Sequence, residues 1–453
     1  MAGSTLRDPY AAEAERLAAG RAGDPAWVKR ARVEALERFD RLGFPTTRDE
    51  DWRFTNVAAI AEGEFVLPRN GASRLTRADL TRFEWAGPRA ATLVFVNGRY
   101  AEGLSRVGDL PAGVRVESLA RAIAEGRTEV ERHLGHAADG ERHAFTALNT
   151  AFLADGAFVH VPEAAVVEAP VHLVFLAGGD EPVPGMAHPR VLVVMGATSQ
   201  ATIVETHAAA GPDRYLTNAV TEVLAGEGAT VHHYHVQRGN AAGLHVASLY
   251  LRASRDATLF CHSATLGGAL VRNNVNVVLD GEGAGCTLNG LYLSDGIGLV
   301  DNHTVIDHAR PHCASRELYS GVLAGNGRAV FNGRIVVRPD AQKTDAKQTS
   351  KALLLSEDAQ INAKPELEIF ANDVKCTHGA AVGQIDDEAI FYLRARGIGE
   401  QDARHMLVRA FAAGVLSQMP LAALRTRLDE DLLARLPGTS LPARGARPER
   451  GEA

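Results

Sequence analysis

The fold is decided by the stretch Gly228-Ala229-Thr230-Val231-His232-His233-Tyr234-His235-Val236. A glycine turn leads into a run in which alternate residues would point to opposite faces, the period-two pattern of a β-strand. Similar openings recur about every thirty residues, at Gly196-Ala197-Thr198, Asp256-Ala257-Thr258 and Gly283-Ala284-Gly285. Such a repeat predicts a coil of stacked strands, a β-solenoid, and the crossover rule favours a right-handed one. A β-sandwich with irregular loops remains the alternative.

The repeat predicts which side chains lie inside the coil. Within the quoted stretch, Val231, His233 and His235 would share one face, and His232, Tyr234 and Val236 the other. Asparagines are frequent along the same region and are expected to form ladders between neighbouring turns: Asn274, Asn276, Asn302, Asn332, Asn362 and Asn372.

Helical patterns flank the strands. The predicted fold class is mainly β, a right-handed parallel β-helix with N-terminal and C-terminal α-helical domains. We expect a helical domain over residues 1–90, the β-helix core over 91–383 with a helical interlude at about 116–152, a second helical domain over 384–437 and a flexible tail over 438–453. Asp24-Pro25 predicts a helix start and Gly43 a helix end.

The C-terminal helices are amphipathic. In the helix predicted over residues 400–419, one stripe is formed by Ala403, Met406, Leu407, Ala410 and Phe411. From this pattern alone, the helical domain either caps the open end of the coil or docks a partner protein.

Composition excludes several classes of function. The chain has 453 residues, a net charge of −7 and no basic block, which argues against nucleic acid as the main partner. It has no apolar run long enough for a membrane span and no secretory signal, so we expect a cytoplasmic protein. Four scattered cysteines predict neither a disulfide framework nor a zinc site. The sequence contains no Walker-type phosphate loop, H-E-x-x-H or G-x-S-x-G motif, which argues against ATP hydrolysis, metalloprotease and α/β-hydrolase chemistry.

Soft-metal or sulfur chemistry is indicated near the end of the strands, by Asn372-Asp373-Val374-Lys375-Cys376-Thr377-His378-Gly379-Ala380-Ala381. In an extended strand Cys376 and His378 project to one face. They supply two ligands, whereas a structural zinc or an iron–sulfur cluster takes about four. If this pair binds metal, a second chain must complete the site; the alternative is a buried cysteine beside a hydrogen-bonded histidine.

Two further polar segments have competing interpretations. Residues 301–313 contain Asp301, Asn302, His303, Asp307, His308, His312 and Cys313 without an established ligand spacing, so they predict metal binding only weakly. Residues 46–56 contain an acidic pair with Trp52 and Phe54. This segment either forms a recognition surface or, the interpretation we favour, starts a capped helix that docks both aromatic side chains on the core.

Several motifs in one order resemble the SufB/SufD family of the SUF iron–sulfur cluster assembly system. They are Arg316-Glu317-Leu318-Tyr319-Ser320-Gly321-Val322-Leu323, Gly327-Arg328-Ala329-Val330-Phe331-Asn332-Gly333-Arg334-Ile335, Ala341-Gln342-Lys343-Thr344-Asp345-Ala346 and Leu353-Leu354-Leu355-Ser356. The sequence around Cys376 and the sequence of residues 48–55 are similar to those of the SufD branch. The Glu-His-Glu motif that the SufB branch carries at the corresponding place is absent.

The resemblance implies a fold, partners and a site. The fold would be a right-handed parallel β-helix, which pairs with a SufB-like paralogue through Cys376 and His378 to build a transient iron–sulfur cluster. The C-terminal helices would dock a SufC-like ATPase, with Phe391, Arg394, Met406, Leu407 and Phe411 as the docking residues. The chain would then be a scaffold and not an enzyme; reduced flavin in the complex and a homodimer of the isolated chain are further possibilities.

Rival classes are a SufB-like paralogue and a β-helix enzyme acting on carbohydrate. The second would be expected to carry a secretory signal and an array of surface carboxylates or basic catalytic residues, and neither is evident.

Overall fold

The structure is a computed structural model and describes residues 8–68, 75–138, 140–178 and 184–436. The predicted flexible tail, 438–453, lies outside the described residues. The strands are β1 (Ala91–Val96), β2 (Arg99–Tyr100), β3 (Arg106–Val107), β4 (Arg115–Ser118), β5 (Gly156–Val161), β6 (Val171–Ala177), β7 (Gly185–Ala187), β8 (Arg190–Met195), β9 (Gln200–Ala209), β10 (Tyr215–Ala225), β11 (Thr230–Arg238), β12 (Leu244–Ala253), β13 (Thr258–Leu266), β14 (Leu270–Leu279), β15 (Gly285–Ser294), β16 (Leu299–His308), β17 (Ala314–Leu323), β18 (Arg328–Val337), β19 (Asp345–Leu354), β20 (Gln360–Ile369) and β21 (Lys375–Gln384).

Helices lie before, between and after the strands. They are α1 (Asp8–Gly20), α2 (Ala26–Leu42), α3 (Ala58–Ala61), α4 (Arg77–Leu80), α5 (Leu119–Ala124), α6 (Thr128–His133), α7 (Ala144–Ala151), α8 (Asp387–Arg394), α9 (Glu400–Leu416) and α10 (Ala422–Arg435), with short 3-10 segments at Glu50–Trp52, Thr81–Phe83 and Glu102–Leu104. The helical interlude therefore starts later than predicted, because Val116 lies in β4, which pairs with β5.

The strands form two sheets that the chain visits alternately. Sheet I has the order β2-β1-β6-β9-β11-β13-β15-β17-β19-β21, with β3 beside β1, and sheet II has the order β20-β18-β16-β14-β12-β10-β8-β5-β4, with β7 beside β10. From β8 onward each strand pairs in parallel with the strand two positions further along the chain. The result is a β-solenoid of about 7 turns flanked by helices, which confirms the predicted class.

One corner of the solenoid repeats an unusual backbone conformation. Seven residues at equivalent positions have a left-handed φ of 54° to 73°: Ala164, Thr198, Gly228, Asp256, Gly283, His312 and Lys343. Each donates its backbone N–H to a carbonyl of the following turn, for example Gly228 N–H to Arg255 O at 2.9 Å. The register differs from the prediction at one repeat, because Thr198 and not Gly196 occupies the position equivalent to Gly228.

The alternation along β11 is correct, but both of its faces are buried. Val231 and His233 point into the lumen between the sheets. Tyr234 and Val236, on the outer face, pack beneath α9 and α10 in the same apolar cluster as Val408. A strand with one face in solvent normally alternates apolar and polar residues. Here two helices cover the outer face, so Tyr234 and Val236 are buried as well.

Asparagine ladders form in part. Asn273 donates to Asn302 on the next turn at 3.0 Å inside the lumen, and Asn274 lies 3.5 Å from Ser248 on the preceding turn. Asn273 was not in the predicted set, while Asn332 and Asn362 face a cleft on the outer side of sheet II.

The N-terminal helices pack on the outer face of sheet II. Asp24 does not cap α2 as predicted; Pro25 occupies the cap position and Asp24 pairs with Arg32 instead. Gly43 ends α2 with a φ of 69°.

Residues 46–56 dock as a short 3-10 turn, not as an α-helix start. Trp52 is half-buried below the Arg272 guanidinium, 4.3 Å from its ring centroid. Thr55 bonds to the buried carboxylate of Asp301. Phe54 is 47% exposed, so the prediction that it packs on the core is wrong.

The C-terminal helices cover the outer face of sheet I with a stripe that differs from the predicted one. The buried residues of α9 are Ala403, Val408, Ala412, Val415 and Leu416. Met406 and Ala410, which we placed on the apolar stripe, are exposed. Which face of α9 is buried depends on how the helix packs against β15 and β17. The sequence of α9 alone does not contain that information.

Candidate functional site

Cys376 and His378 lie on β21, the last strand of sheet I. This strand pairs with β19 on one side, and along its other edge it has no strand partner among the described residues. β20 is the last strand of sheet II in the same way. The solenoid therefore ends in two free strand edges, whose unpaired N–H and C=O groups can accept another chain.

The register fixes where the two side chains point. Cys376 is aligned with Ala346 and His378 with Gln348, and both partners are buried in the lumen. The two candidate ligands therefore share the inner face of β21, as alternate residues of a strand must. Because no further turn of the described part of the chain covers them, His378 is exposed and Cys376 is half-buried.

Cys376 differs from the other cysteines in its accessibility. Cys261, Cys286 and Cys313 are buried, whereas Cys376 is partly open to solvent. Burial raises the pKa of the Cys376 thiol, and the carboxylate of Asp345 adds to that effect. The isolated chain therefore presents a protonated thiol at neutral pH, and a bound metal ion would have to displace the proton.

A carboxyl group lies two turns below His378 in the lumen. Gln348, directly below the histidine, donates from Nε2 to Oε2 of Glu317 at 2.8 Å. Burial raises the pKa of Glu317 to about 7, although the hydrogen bond from Gln348 opposes the shift. The sequence did not indicate Glu317 or Gln348 as site residues. The two residues are 31 positions apart in the chain, and they meet only because successive turns of the solenoid stack in register.

A second set of polar groups lies deeper in the lumen. Glu205 accepts hydrogen bonds from His233 at 2.7 Å and from Thr221 at 3.0 Å. Burial alone would raise the pKa of this carboxyl, but the hydrogen bonds from His207 and His233 hold it well below its usual range. These bonds occupy the oxygen atoms of the carboxylate, whereas Nδ1 of His207 and Nδ1 of His233 are buried without a hydrogen-bond partner among the described residues, so the internal network is satisfied only in part.

The described part of the chain does not supply a complete set of metal ligands. Among the described residues, no three His, Cys, Asp or Glu side chains are grouped so that they could hold a metal ion. The candidate cluster at residues 301–313 is dispersed, because His303 lies on the outer face with Asp301, while His308 bonds to Ser315 in the lumen. Cys376 and His378 thus remain a pair of ligands.

Apolar side chains surround the open end. Val382 on β21 is 52% exposed, and Ile369 and Phe370 at the end of β20 are also exposed. Exposed apolar groups next to free strand edges are typical of a surface that another protein covers.

The predicted docking residues on α8 and α9 fall into two groups. Phe391 is 75% exposed, Met406 is exposed, and Arg394 is exposed and lies 3.3 Å from Glu400. Leu407 is half-buried, and Phe411 packs partly against the apolar cluster below α9. The first group lies on the surface, and in the second group Phe411 helps to hold α9 on the sheet.

Comparison with known families covers nearly all of the chain. Residues 175–411 match the model described as "SUF system FeS cluster assembly, SufBD core domain", and residues 6–173 match the SufBD protein N-terminal region. The chain belongs to the SufBD family.

Individual relatives agree with this SufBD assignment. The chain is 35% identical to an iron-sulfur cluster assembly SufBD family protein of Synechocystis, over 89% of this chain and 90% of the relative. It is 33% identical to the iron-sulfur cluster assembly protein SufD of Escherichia coli, over 89% of this chain and 92% of the relative. The Bacillus subtilis SufD protein is 27% identical over 93% of its length. Within the part of this SufBD chain that the structure describes, no helix has the length and apolarity of a membrane span.

Proposed function

We propose that this SufBD-family chain is a SufD-type scaffold subunit that contributes half of a cluster-assembly site. The observation that carries the proposal is the placement of Cys376 and His378 on the inner face of the terminal strand, where the lumen is open. The proposed partner is a SufB-like paralogue, which would supply the remaining ligands and cover the free edges of β20 and β21. The complex would act in the cytoplasm.

Iron and sulfide are the cargo of this site. Binding of ferrous iron to the Cys376 sulfur would release the thiol proton to solvent, and His378 would bind through a neutral ring nitrogen. A cluster held by two groups from each chain would be released when the chains separate. None of the described features points to a flavin, which has no part in the proposal.

The test is anaerobic reconstitution of the complex with both suspected partners, followed by absorption and electron paramagnetic resonance spectroscopy of the bound cluster. We expect Cys376→Ser combined with His378→Ala to lower the cluster content by about tenfold or more, because loss of a ligand costs at least as much as loss of a group that supports one. Thr377→Ala is the matched control, since Thr377 is exposed on the opposite face of β21. Full cluster content in the double variant would overturn the proposal.

The second part of the proposal assigns ATPase docking to α8 and α9. Phe391 and Met406 expose apolar surface on these helices, and exposed aromatic side chains commonly anchor interfaces. Phe391→Asp with Met406→Asp should weaken binding of a SufC-like ATPase by about tenfold or more, measured by calorimetry. Ile297→Asp is the control, because Ile297 is 86% exposed on a distant turn after β15. Equal affinities of the two variants would contradict this docking surface.

A further inference from the structure

A cleft of ≈ 520 Å³ lies between the loops that follow β9 and β11, the 3-10 segment Thr81–Phe83 and the end of α10. It is on the helix-covered side of sheet I, away from Cys376 and His378. Three arginines line it, Arg82, Arg238 and Arg435. The proposed scaffold function does not use this cleft.

The arginines are fixed by contacts that leave much of their hydrogen-bonding capacity free. Arg82 donates to the carbonyl of Ala210 at 2.8 Å, and Arg435 donates to the carbonyl of Gly239 at 3.3 Å. A guanidinium has five N–H groups, so each of these side chains retains several donors that have no partner among the described residues. Arg82 and Arg238 also lie over the ring of Phe83, at 4.7 and 5.5 Å from its centroid, which holds both guanidiniums in place.

Positive charge exceeds negative charge around the cleft. Asp431 is the carboxylate in direct contact, and it is shared by Arg238 at 2.8 Å and Arg427 at 3.1 Å. Asp295 acts on Arg435 through a longer-range attraction. A third carboxylate, that of Asp213, lies beside Gly211 in the loop after β9. The three guanidiniums that line the cleft and the neighbouring Arg427 therefore outnumber the carboxylates by one, and one of those carboxylates is remote.

Burial makes this excess of positive charge unfavourable for the stability of the fold. The Arg238 side chain is 11% exposed. The pKa of Arg238 is lowered to about 10, chiefly by burial; the nearby guanidiniums of Arg427, Arg435 and Arg82 contribute to the lowering, and Asp431 opposes it. Partly buried like charges without enough counter-charge destabilise a fold, and a bound anion offsets that cost.

We propose that the cleft formed by Arg82, Arg238 and Arg435 is a binding site for a phosphate-bearing anion. Several guanidiniums with free N–H donors suit the oxygen atoms of a phosphoryl group, which accept paired hydrogen bonds. The source of the group is either inorganic phosphate or the phosphate ester of a small molecule.

The test measures binding to the full-length chain by isothermal titration calorimetry and thermal unfolding. The probes are inorganic phosphate, pyrophosphate and adenosine 5′-monophosphate, compared with sodium chloride at equal ionic strength. We expect saturable binding that raises the Tm. Preference for inorganic phosphate or for the monophosphate ester would identify the source, and binding of either supports the proposal.

Variants separate a built site from general ionic effects. Arg82→Gln combined with Arg435→Gln should weaken binding by about tenfold or more, corresponding to the loss of charge-assisted hydrogen bonds. Arg255→Gln should bind as the unmodified chain does, because Arg255 is exposed and paired with Glu227 elsewhere on the solenoid. Should the double variant unfold, the single Arg82→Glu variant, at an exposed position, provides the same comparison. Stabilisation by phosphate no greater than that by chloride, or equal binding by the arginine variants, would overturn the proposal.

Discussion

Protonation of Glu317 in the lumen makes the stability of the fold depend on pH. Its carboxyl is buried two turns below His378 and has a pKa raised to about 7, against about 4.3 for an unfolded glutamate. Between these values the unfolded chain has lost the proton while the folded chain keeps it. Stability from this group is therefore full below about pH 4 and falls as pH rises towards 7.

Replacing this carboxyl with an amide should remove that pH dependence. Glu317→Gln keeps a hydrogen-bonding group near Gln348 but cannot ionise. We expect the variant to gain up to about 3 kcal/mol of unfolding free energy relative to the unmodified chain between pH 5 and pH 8, the linkage of a shift of this size. Chemical denaturation at both pH values measures the difference. Glu357→Gln, at an exposed turn, should show no such change; a pH-independent difference for Glu317→Gln would contradict the shift.

Among the elements, the repeated corner between the sheets is where the backbone is most constrained. Thr198 has a φ of 55° and an exposed side chain, a conformation that strains a β-branched residue. Gly228 adopts a φ of 65° at the equivalent position of the next turn without that strain.

We expect substitutions at Thr198 and Gly228 to change the free energy of unfolding in opposite directions. Thr198→Gly should stabilise the chain by about 1 kcal/mol, because relief of left-handed strain exceeds the entropy cost of a glycine. Gly228→Ala should destabilise it by about 1 kcal/mol for the same reason. Thermal unfolding of both variants under one buffer measures the pair. Changes of the same sign would show that the corner conformation is not what limits stability.

For the whole molecule, one buried ion pair within the solenoid also holds the N-terminal segment, through contacts of its two members with that segment. Arg272 on β14 bonds to Asp301 at 2.5 Å, to the backbone carbonyl of Asp51 at 2.8 Å and lies over Trp52. Burial would raise the pKa of Asp301, but Arg272, with smaller contributions from His303 and Thr55, holds it at about 2. The pair therefore stabilises the fold above about pH 4 and loses that effect as pH falls towards 2.

Removing this cation should release the N-terminal segment. Arg272→Ala leaves Asp301 buried without its counter-ion, at a cost of about 3–5 kcal/mol. We expect faster limited proteolysis near residues 46–56 and a lower Tm. Arg252→Ala is the matched control, because Arg252 makes an exposed pair with Asp280 on the same sheet, worth at most about 1 kcal/mol. Similar losses in the two variants would show that burial of the pair is unimportant.

Much of the fold could be predicted because its signals are local. The turn before Thr230 and the alternation after it reveal a strand, and their return along the chain reveals a coil. The face shared by Cys376 and His378 follows from strand geometry in the same way. The register of the first repeat was missed at Thr198, since a left-handed threonine carries no glycine to mark it.

The sequence by itself determined the repeating strands, the flanking helices and the paired thiol and imidazole, because each depends on neighbours within a few residues. Only the tertiary structure decided that Gln348 and Glu317 lie beneath His378, which face of α9 is buried, and that arginines as distant as Arg82 and Arg435 line one cleft. Those arrangements depend on how turns about thirty residues long stack and on which helix covers which sheet, and contacts between residues so far apart in the chain leave no periodic signal.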